Sequence, residues 1–176
     1  YDKNYFLNKL IHKDEWCKTT TRKFKEDILR IFKDKKTYDC IEIGSCKGDT
    51  TRVFAECFNK VYSYERSDEN VKDIKKKCHD VDSKDFQIPN AQVAFIDAGH
   101  STDLVKIDIQ RFLQKNPNMI LIFDDYGQED ESIKKAILET NLKIDRYIGE
   151  YNGFSFNRLN GERVSFKGRE GVICNL

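Results

Sequence analysis

A chain of 176 residues, 39% of them hydrophobic, is enough for a single core of ordinary size. Lys+Arg 31 against Asp+Glu 30 leaves a formal charge of +1, so no global pull toward nucleic acid or a membrane surface follows. The longest purely aliphatic-aromatic run, Met119 to Phe123, is far too short to cross a bilayer.

In chain order, residues near 4–15 and 20–35 read as amphipathic helices. In the second, Phe24, Ile28, Ile31 and Phe32 recur at helical spacing, and Thr19 to Thr21 offer N-caps. A strand over 38–43 leads through a glycine turn into a helix near 49–58. A strand at 61–65, a helix near 68–78 and a short strand near 79–82 follow. Ala91 to Ile96 is an apolar strand ending at Asp97, and Ser101 caps a helix reaching about 115. Met119 to Phe123 is a fully buried central strand ended by Asp124-Asp125. Glu129-Asp130-Glu131 then opens a helix to about 140, since acids favour a helix N-terminus. Strands alternating with helices imply a parallel sheet covered on both faces. Asn160-Gly161 signals a hairpin, so residues 142–176 read as a terminal, partly antiparallel β unit. The division is an N-terminal helical cap, 1–36, on a core, 37–176, within one compact domain.

The six cysteines hold no Cys-x-x-Cys pair, and Cys78-His79 lacks a second ligand pair at zinc spacing. Cys40, Cys57 and Cys174 sit among apolar residues and read as small core residues, which suggests a reducing, cytoplasmic setting. Lys33-Asp34-Lys35-Lys36 and Lys72 to Lys77 read as solvated helix faces, with a nucleic-acid patch as the sharper alternative. The chain opens on Tyr1 rather than Met, which fits trimming or excision from a longer polypeptide.

Asp39-Cys40-Ile41-Glu42-Ile43-Gly44-Ser45-Cys46-Lys47-Gly48-Asp49 is the most informative stretch. Gly44 lets the chain reverse, and Gly48 lets a helix start close to the strand. The turn places backbone N–H groups at a helix N-terminus beside the carboxylate of Glu42, which suits a ligand with cationic and hydrogen-bonding parts. No Gly-Lys-Ser/Thr ends it, so it is not a phosphate loop. Cys46 also stands where a dinucleotide fingerprint needs glycine. Glu65 lies 21 residues after Gly44 at a strand end, where an acid commonly accepts from ribose hydroxyls.

The spacing Glu42-x-Gly44-x-x-x-Gly48 resembles motif I of the class I S-adenosylmethionine (SAM) dependent methyltransferases. That resemblance implies a Rossmann-like fold with a mostly parallel seven-stranded sheet and a terminal antiparallel β unit. It implies SAM held by Glu42, Gly44, Ser45, Gly48 and Glu65, with Asp82-Ser83 as the acid–polar pair beside the adenine.

Two central strands end in acids: Ile96-Asp97-Ala98-Gly99-His100 and Phe123-Asp124-Asp125-Tyr126. In an open parallel sheet the ligand crevice lies outside the C-terminal strand ends, so Asp97, Asp124 and Asp125 converge there. Three carboxylates at one point repel unless protonated or neutralised. A hard divalent cation such as Mg²⁺ or Mn²⁺ suits such oxygen ligands. The arrangement resembles the metal-dependent O-methyltransferases, both catechol-type and the sugar enzymes related to macrocin O-methyltransferase, over roughly residues 38–127. It implies Asp97, Asp124 and Asp125 as metal ligands, with Asp97 also lining the cofactor site. His100 takes the position of the base that accepts the acceptor hydroxyl's proton during in-line methyl transfer. Two departures stand out: Gly99 replaces the usual Asp before His100, and Cys46 replaces a frequent glycine.

Other assignments stay open: Asp97 as a cofactor contact without metal, Asp124 and Asp125 as helix caps, His100 as a structural histidine. The expected acceptor is a small molecule or glycan bearing a hydroxyl, with a sugar first and a catechol-like phenol second, the chain being a domain of a larger glycan-modifying polypeptide. Tyr147, Tyr151, Asn152, Phe154, Phe156 and Asn157 are candidates to pack against a sugar, or are ordinary terminal strand residues. A non-catalytic SAM-fold partner remains the alternative. A base N-methyltransferase is disfavoured because Asp97-Ala98-Gly99-His100 replaces its Asn/Asp-Pro-Pro-Tyr/Phe.

Overall fold

The computed structural model describes residues 19–46, 48–65, 87–97, 99, 101–128, 130–156 and 163–176, with 152–156 and 163–167 described by backbone alone. The elements are α1 (Arg22–Phe32), β1 (Asp39–Ile43), α2 (Asp49–Cys57), β2 (Lys60–Tyr64), β3 (Val93–Ile96), α3 (Thr102–Lys115), β4 (Ile120–Phe123), α4 (Ser132–Glu139), β5 (Ile144–Ile148), β6 (Tyr151–Phe156), β7 (Arg163–Gly168) and β8 (Gly171–Cys174). The main sheet runs β2-β1-β3-β4-β8-β5, and β6-β7 forms a separate antiparallel pair. β2, β1, β3 and β4 are parallel, while β8 is antiparallel to β4 and to β5. Six strands of the main sheet are thus on view among the described residues. The expected helices near 4–15 and 68–78, the strand near 79–82 and the Asn160-Gly161 turn lie outside them.

Strand alternation divides the core into two layers. Cys40, Val93, Phe95, Ile120, Ile122 and Ile173 point toward α1 and α2, where they meet Phe24, Ile28, Phe32 and Phe54. Ile41, Ala94, Ile96, Leu121, Phe123 and Val172 point toward α3 and α4, where they meet Val105, Ile109, Phe112 and Ile137. Phe95 stacks edge-on against Phe24, with ring centroids 5.8 Å apart, and is tilted against Phe54 at 5.1 Å. Strands with two buried faces need continuous apolar runs, which is why β3 and β4 read Val-Ala-Phe-Ile and Ile-Leu-Ile-Phe.

Thr21 caps α1, its hydroxyl accepting from the Phe24 N–H at 3.2 Å, and Ser101 caps α3 through the Leu104 N–H at 3.4 Å. α4 begins at Ser132, later than the acidic run suggests. Glu131 adopts a left-handed φ of 55°, which breaks the helix, and the Asp130 carboxylate accepts from the Ser132 N–H and hydroxyl. Cys40, Cys57 and Cys174 are buried free thiols, and burial pushes Cys57 and Cys174 up to about 12. No helix among the described residues is long and apolar enough to cross a membrane.

Candidate active site

Strand register builds the site. Ile43 pairs with Ile96, and Ile96 with Phe123, so the residues that follow leave the sheet at one level. The pairing continues one step further: the Asp97 N–H donates to the Ile43 carbonyl at 3.0 Å, and the Asp124 N–H to the Ile96 carbonyl at 3.4 Å. The glycine turn, Asp97 and Asp124 therefore sit side by side at the C-terminal edge.

In the turn, Gly44 and Gly48 have φ of 87° and 80°, conformations that a side chain would strain. Cys46 between them has φ 47°, which accounts for the glycine frequent there in the resembled motif. The Cys46 N–H donates to Glu65 Oε2 at 2.6 Å, so Glu65 clasps the turn from the end of β2. Glu42 is fully buried, and its Oε2 accepts from the Thr51 hydroxyl at 2.5 Å and the Ser63 hydroxyl at 2.7 Å. Glu42 thereby ties β1 to β2 and to the start of α2 and fixes the shape of the turn. Ser45 is buried, and its N–H reaches the Tyr64 carbonyl at 3.3 Å.

One carboxylate oxygen each from Asp97, Asp124 and Asp125 lie within 4.8 Å of one another. Burial, then the charge of Asp125, holds Asp97 well above the usual carboxylate range, with Glu42, Glu170 and Glu65 adding to it. Burial, Asp125 and Asp97 do the same to Asp124. The Oδ1 of Asp124 is buried with no hydrogen-bond partner among the described residues. Asp125 takes a left-handed φ of 58°, tolerable for Asp, and accepts from the Tyr151 hydroxyl at 2.9 Å.

One further acid borders this cluster. Glu170, in the turn before β8, is fully buried and accepts from the Thr21 N–H at 2.7 Å and from the Thr21 hydroxyl. Burial pushes it up to about 7, against the lowering pull of those bonds and of the buried Lys25 ammonium. The Tyr126 N–H donates to the Glu170 carbonyl at 2.7 Å, which anchors the chain just past Asp125. Sequence reasoning missed Glu170 and Lys25, because an isolated Glu and a mid-helix Lys carry no spacing signal. Of the residues named as candidates to pack against a sugar or as ordinary strand residues, Tyr151 has its side chain buried against Asp125. Tyr147 is half exposed and lies edge-on to Tyr126 at 5.7 Å. Gly99 has a local reason: a Cβ there would lie 3.1 Å from Leu104 Cβ, so the Asp of the resembled pattern would crowd α3. His100, Asp82 and Ser83 lie outside the described residues.

No family model matches the sequence, and no curated protein matches it. Solved structures do match. An O-methyltransferase from Bacillus cereus in complex with SAH superposes with a TM-score of 0.62 at 12% identity, over 98% of this chain and 90% of that one. A putative O-methyltransferase from Klebsiella pneumoniae gives 0.63 at 12%, over 99% and 89%. A tRNA (m1A58) methyltransferase from Aquifex aeolicus gives 0.62 at 17%, over 96% and 74%. At such identities the likeness shows the fold alone, a Rossmann-like α/β fold that this chain shares with these methyltransferase structures.

Proposed function

We propose that this chain is a SAM-dependent O-methyltransferase acting on a hydroxyl of a sugar, with a divalent cation between Asp97, Asp124 and Asp125. The observation that carries the reading is the three-carboxylate cluster beside a motif I turn, with ligand oxygens within 4.8 Å. The donor set fits the ion. All three donors are carboxylate oxygens, mutual repulsion favours neutralisation, and Asp124 Oδ1 is buried without a partner among the described residues. SAM would supply an electrophilic methyl group, and a cation held by Asp97, Asp124 and Asp125 would supply Lewis acidity that lowers the pKa of the acceptor hydroxyl.

The chain's own residues do the rest. The Gly44–Gly48 turn and Glu65 hold the cofactor, with Asp82 and Ser83 at its adenine end. Glu42 keeps the turn in shape through Thr51 and Ser63. His100 takes the proton from the acceptor hydroxyl. Fixing the acceptor in line with the methyl supplies much of the acceleration. Support for an oxygen acceptor is the likeness of this acid pattern to sugar and catechol O-methyltransferases.

The test is a co-crystal with S-adenosylhomocysteine and Mn²⁺, together with labelled-SAM assays on deoxysugar glycosides and catechols. Density for both ligands and transfer to glycosides are expected. Transfer to catechols alone overturns the sugar assignment. Activity unchanged after thorough chelation, with no Mn²⁺ density among the three aspartates, removes the cation. Absence of any SAM binding by calorimetry overturns the whole reading.

A further inference from the structure

The opposite edge of the sheet carries a second concavity of about 670 Å³. Its walls come from the C-terminal end of α1, the residues that enter β1, β3 and β4, strand β5, and the end of β8. Arg30, Lys35 and Arg146 line it, and no acidic side chain does among the described residues. In a chain with 31 basic and 30 acidic residues, that one-sided lining is a local feature and not a consequence of composition.

Arg146 is there because β5 is irregular. Ile144 packs into the α3/α4 layer, whereas Ile148 belongs to the α1/α2 layer. Strict alternation would put both on one face. A slip in register between Ile144 and Arg146, against Cys174 and Ile173 of β8, inserts one residue and reverses the faces. Arg146 thereby joins the face covered by α1, and Tyr147 turns to the other, where it meets Tyr126.

The three cations differ in what already holds them. Arg30 is tied to Asp27 at 3.0 Å. Lys35 Nζ lies 4.8 Å from the centre of the Tyr38 ring. Arg146 has no hydrogen-bond or ion-pair partner among the described residues. Two positive groups with no ion pair to a carboxylate side chain among the described residues therefore line a concave surface that the amides of Gln92 and Asn118 and the backbone of Leu176 also line. A planar guanidinium and an ammonium that line one groove suit the oxygens of a phosphate, and the volume exceeds what a bare anion needs.

We propose that this groove, remote from the carboxylate cluster, binds a small phosphorylated molecule through Arg146 and Lys35.

The test is calorimetry of the full chain with pyrophosphate and with AMP, at low and at physiological salt. Saturable, salt-weakened binding of at least one probe is expected. Arg146→Glu and Lys35→Glu should each weaken it about tenfold or more, the loss of one charge-assisted contact. Arg146→Lys should retain most of it. Lys134→Glu, beside Tyr126 and away from the groove, should leave it unchanged. Both groove positions reach solvent, and far-ultraviolet circular dichroism confirms that each variant folds. Silence with both probes, or equal weakening by Lys134→Glu, overturns the proposal. So does binding of a single-stranded oligoribonucleotide with both small probes silent, which would assign the cations to a nucleic-acid backbone.

Discussion

Glu170 offers a sharp test of how the site is held. Its carboxylate accepts both the N–H and the hydroxyl of Thr21, and the fully buried Lys25 supplies positive charge beside it. Glu170→Ala removes both acceptors from the N-cap of α1 and takes away a negative charge that interacts with the buried Lys25. Leaving the two Thr21 donors unsatisfied costs roughly 1–3 kcal/mol each, a large part of the roughly 5–15 kcal/mol that stabilises a typical domain. At about 2–4 °C per kcal/mol for a chain of this size, melting should fall by about 10 °C. Circular dichroism melts with urea titrations measure it. The decisive variant is the double one, Lys25→Met with Glu170→Gln. Removing both charges while keeping shape should recover much of the loss, since desolvating the pair offsets most of its attraction. Strictly additive losses would mean that Lys25 and Glu170 are not energetically paired. A Glu170→Ala variant that melts with the wild type would refute the anchoring role outright.

Three other outcomes are expected. Asp108 is buried on α3, and burial lifts its carboxyl from 3.8 to about 6 against the lowering pull of Arg111. A raised folded-state pKa gives a contribution that is full below about 4 and lost as pH rises through about 6. Asp108→Asn should therefore be the more stable protein above pH 7, by up to about 3 kcal/mol, and lose that advantage near pH 4; parallel melts at both pH values would contradict this. Glu65→Ala should weaken S-adenosylhomocysteine binding by about 1–3 kcal/mol in calorimetry, through the lost ribose contact and the released Cys46 N–H; unchanged affinity would move the ribose elsewhere. Gly171→Ala puts a Cβ 2.3 Å from the Phe123 carbonyl oxygen and should destabilise by about 1–3 kcal/mol or more, with weaker Mn²⁺ binding because Asp124 follows directly; a wild-type melt would show that β4 and β8 can part without loss.

The elements that were legible in the sequence are those whose reasons are local. The run Ile120 to Phe123 can only be a strand buried on both faces, and the acids after it fall at its end. The Gly44 and Gly48 turn announces itself because few other residues accept those angles. Register across β1, β3 and β4, which brings Asp97 level with Asp124, follows from the topology such a sheet adopts. What sequence reasoning lost is long-range. Thr21 and Glu170 lie 149 residues apart, and nothing near either residue signals the other. The start of α4 was set too early because Glu131 bends the chain in a conformation that propensity disfavours. The bulge in β5 is equally silent, since Ile144-Asp145-Arg146 reads as plain alternation.

Left-handed residues separate the two edges of the sheet in a way that bears on function. At the N-terminal edge, positive φ falls on Asn141 and Asn175, a residue type that accepts it readily. At the C-terminal edge it falls on Cys46, Asp125 and Glu131, in addition to Gly44 and Gly48. A non-glycine residue held there costs on the order of 1–2 kcal/mol. The same edge gathers Asp97, Asp124 and Asp125, whose mutual repulsion opposes folding when all are charged. Strained backbone and crowded carboxylates thus coincide at one edge, and the surrounding structure must hold both in place. Glu42 does so through Thr51 and Ser63, Glu65 through Cys46, and Tyr151 through Asp125. Buried and part-buried bonds thus converge on keeping an unfavourable arrangement intact, the pattern expected where local rules are broken for a site rather than for stability.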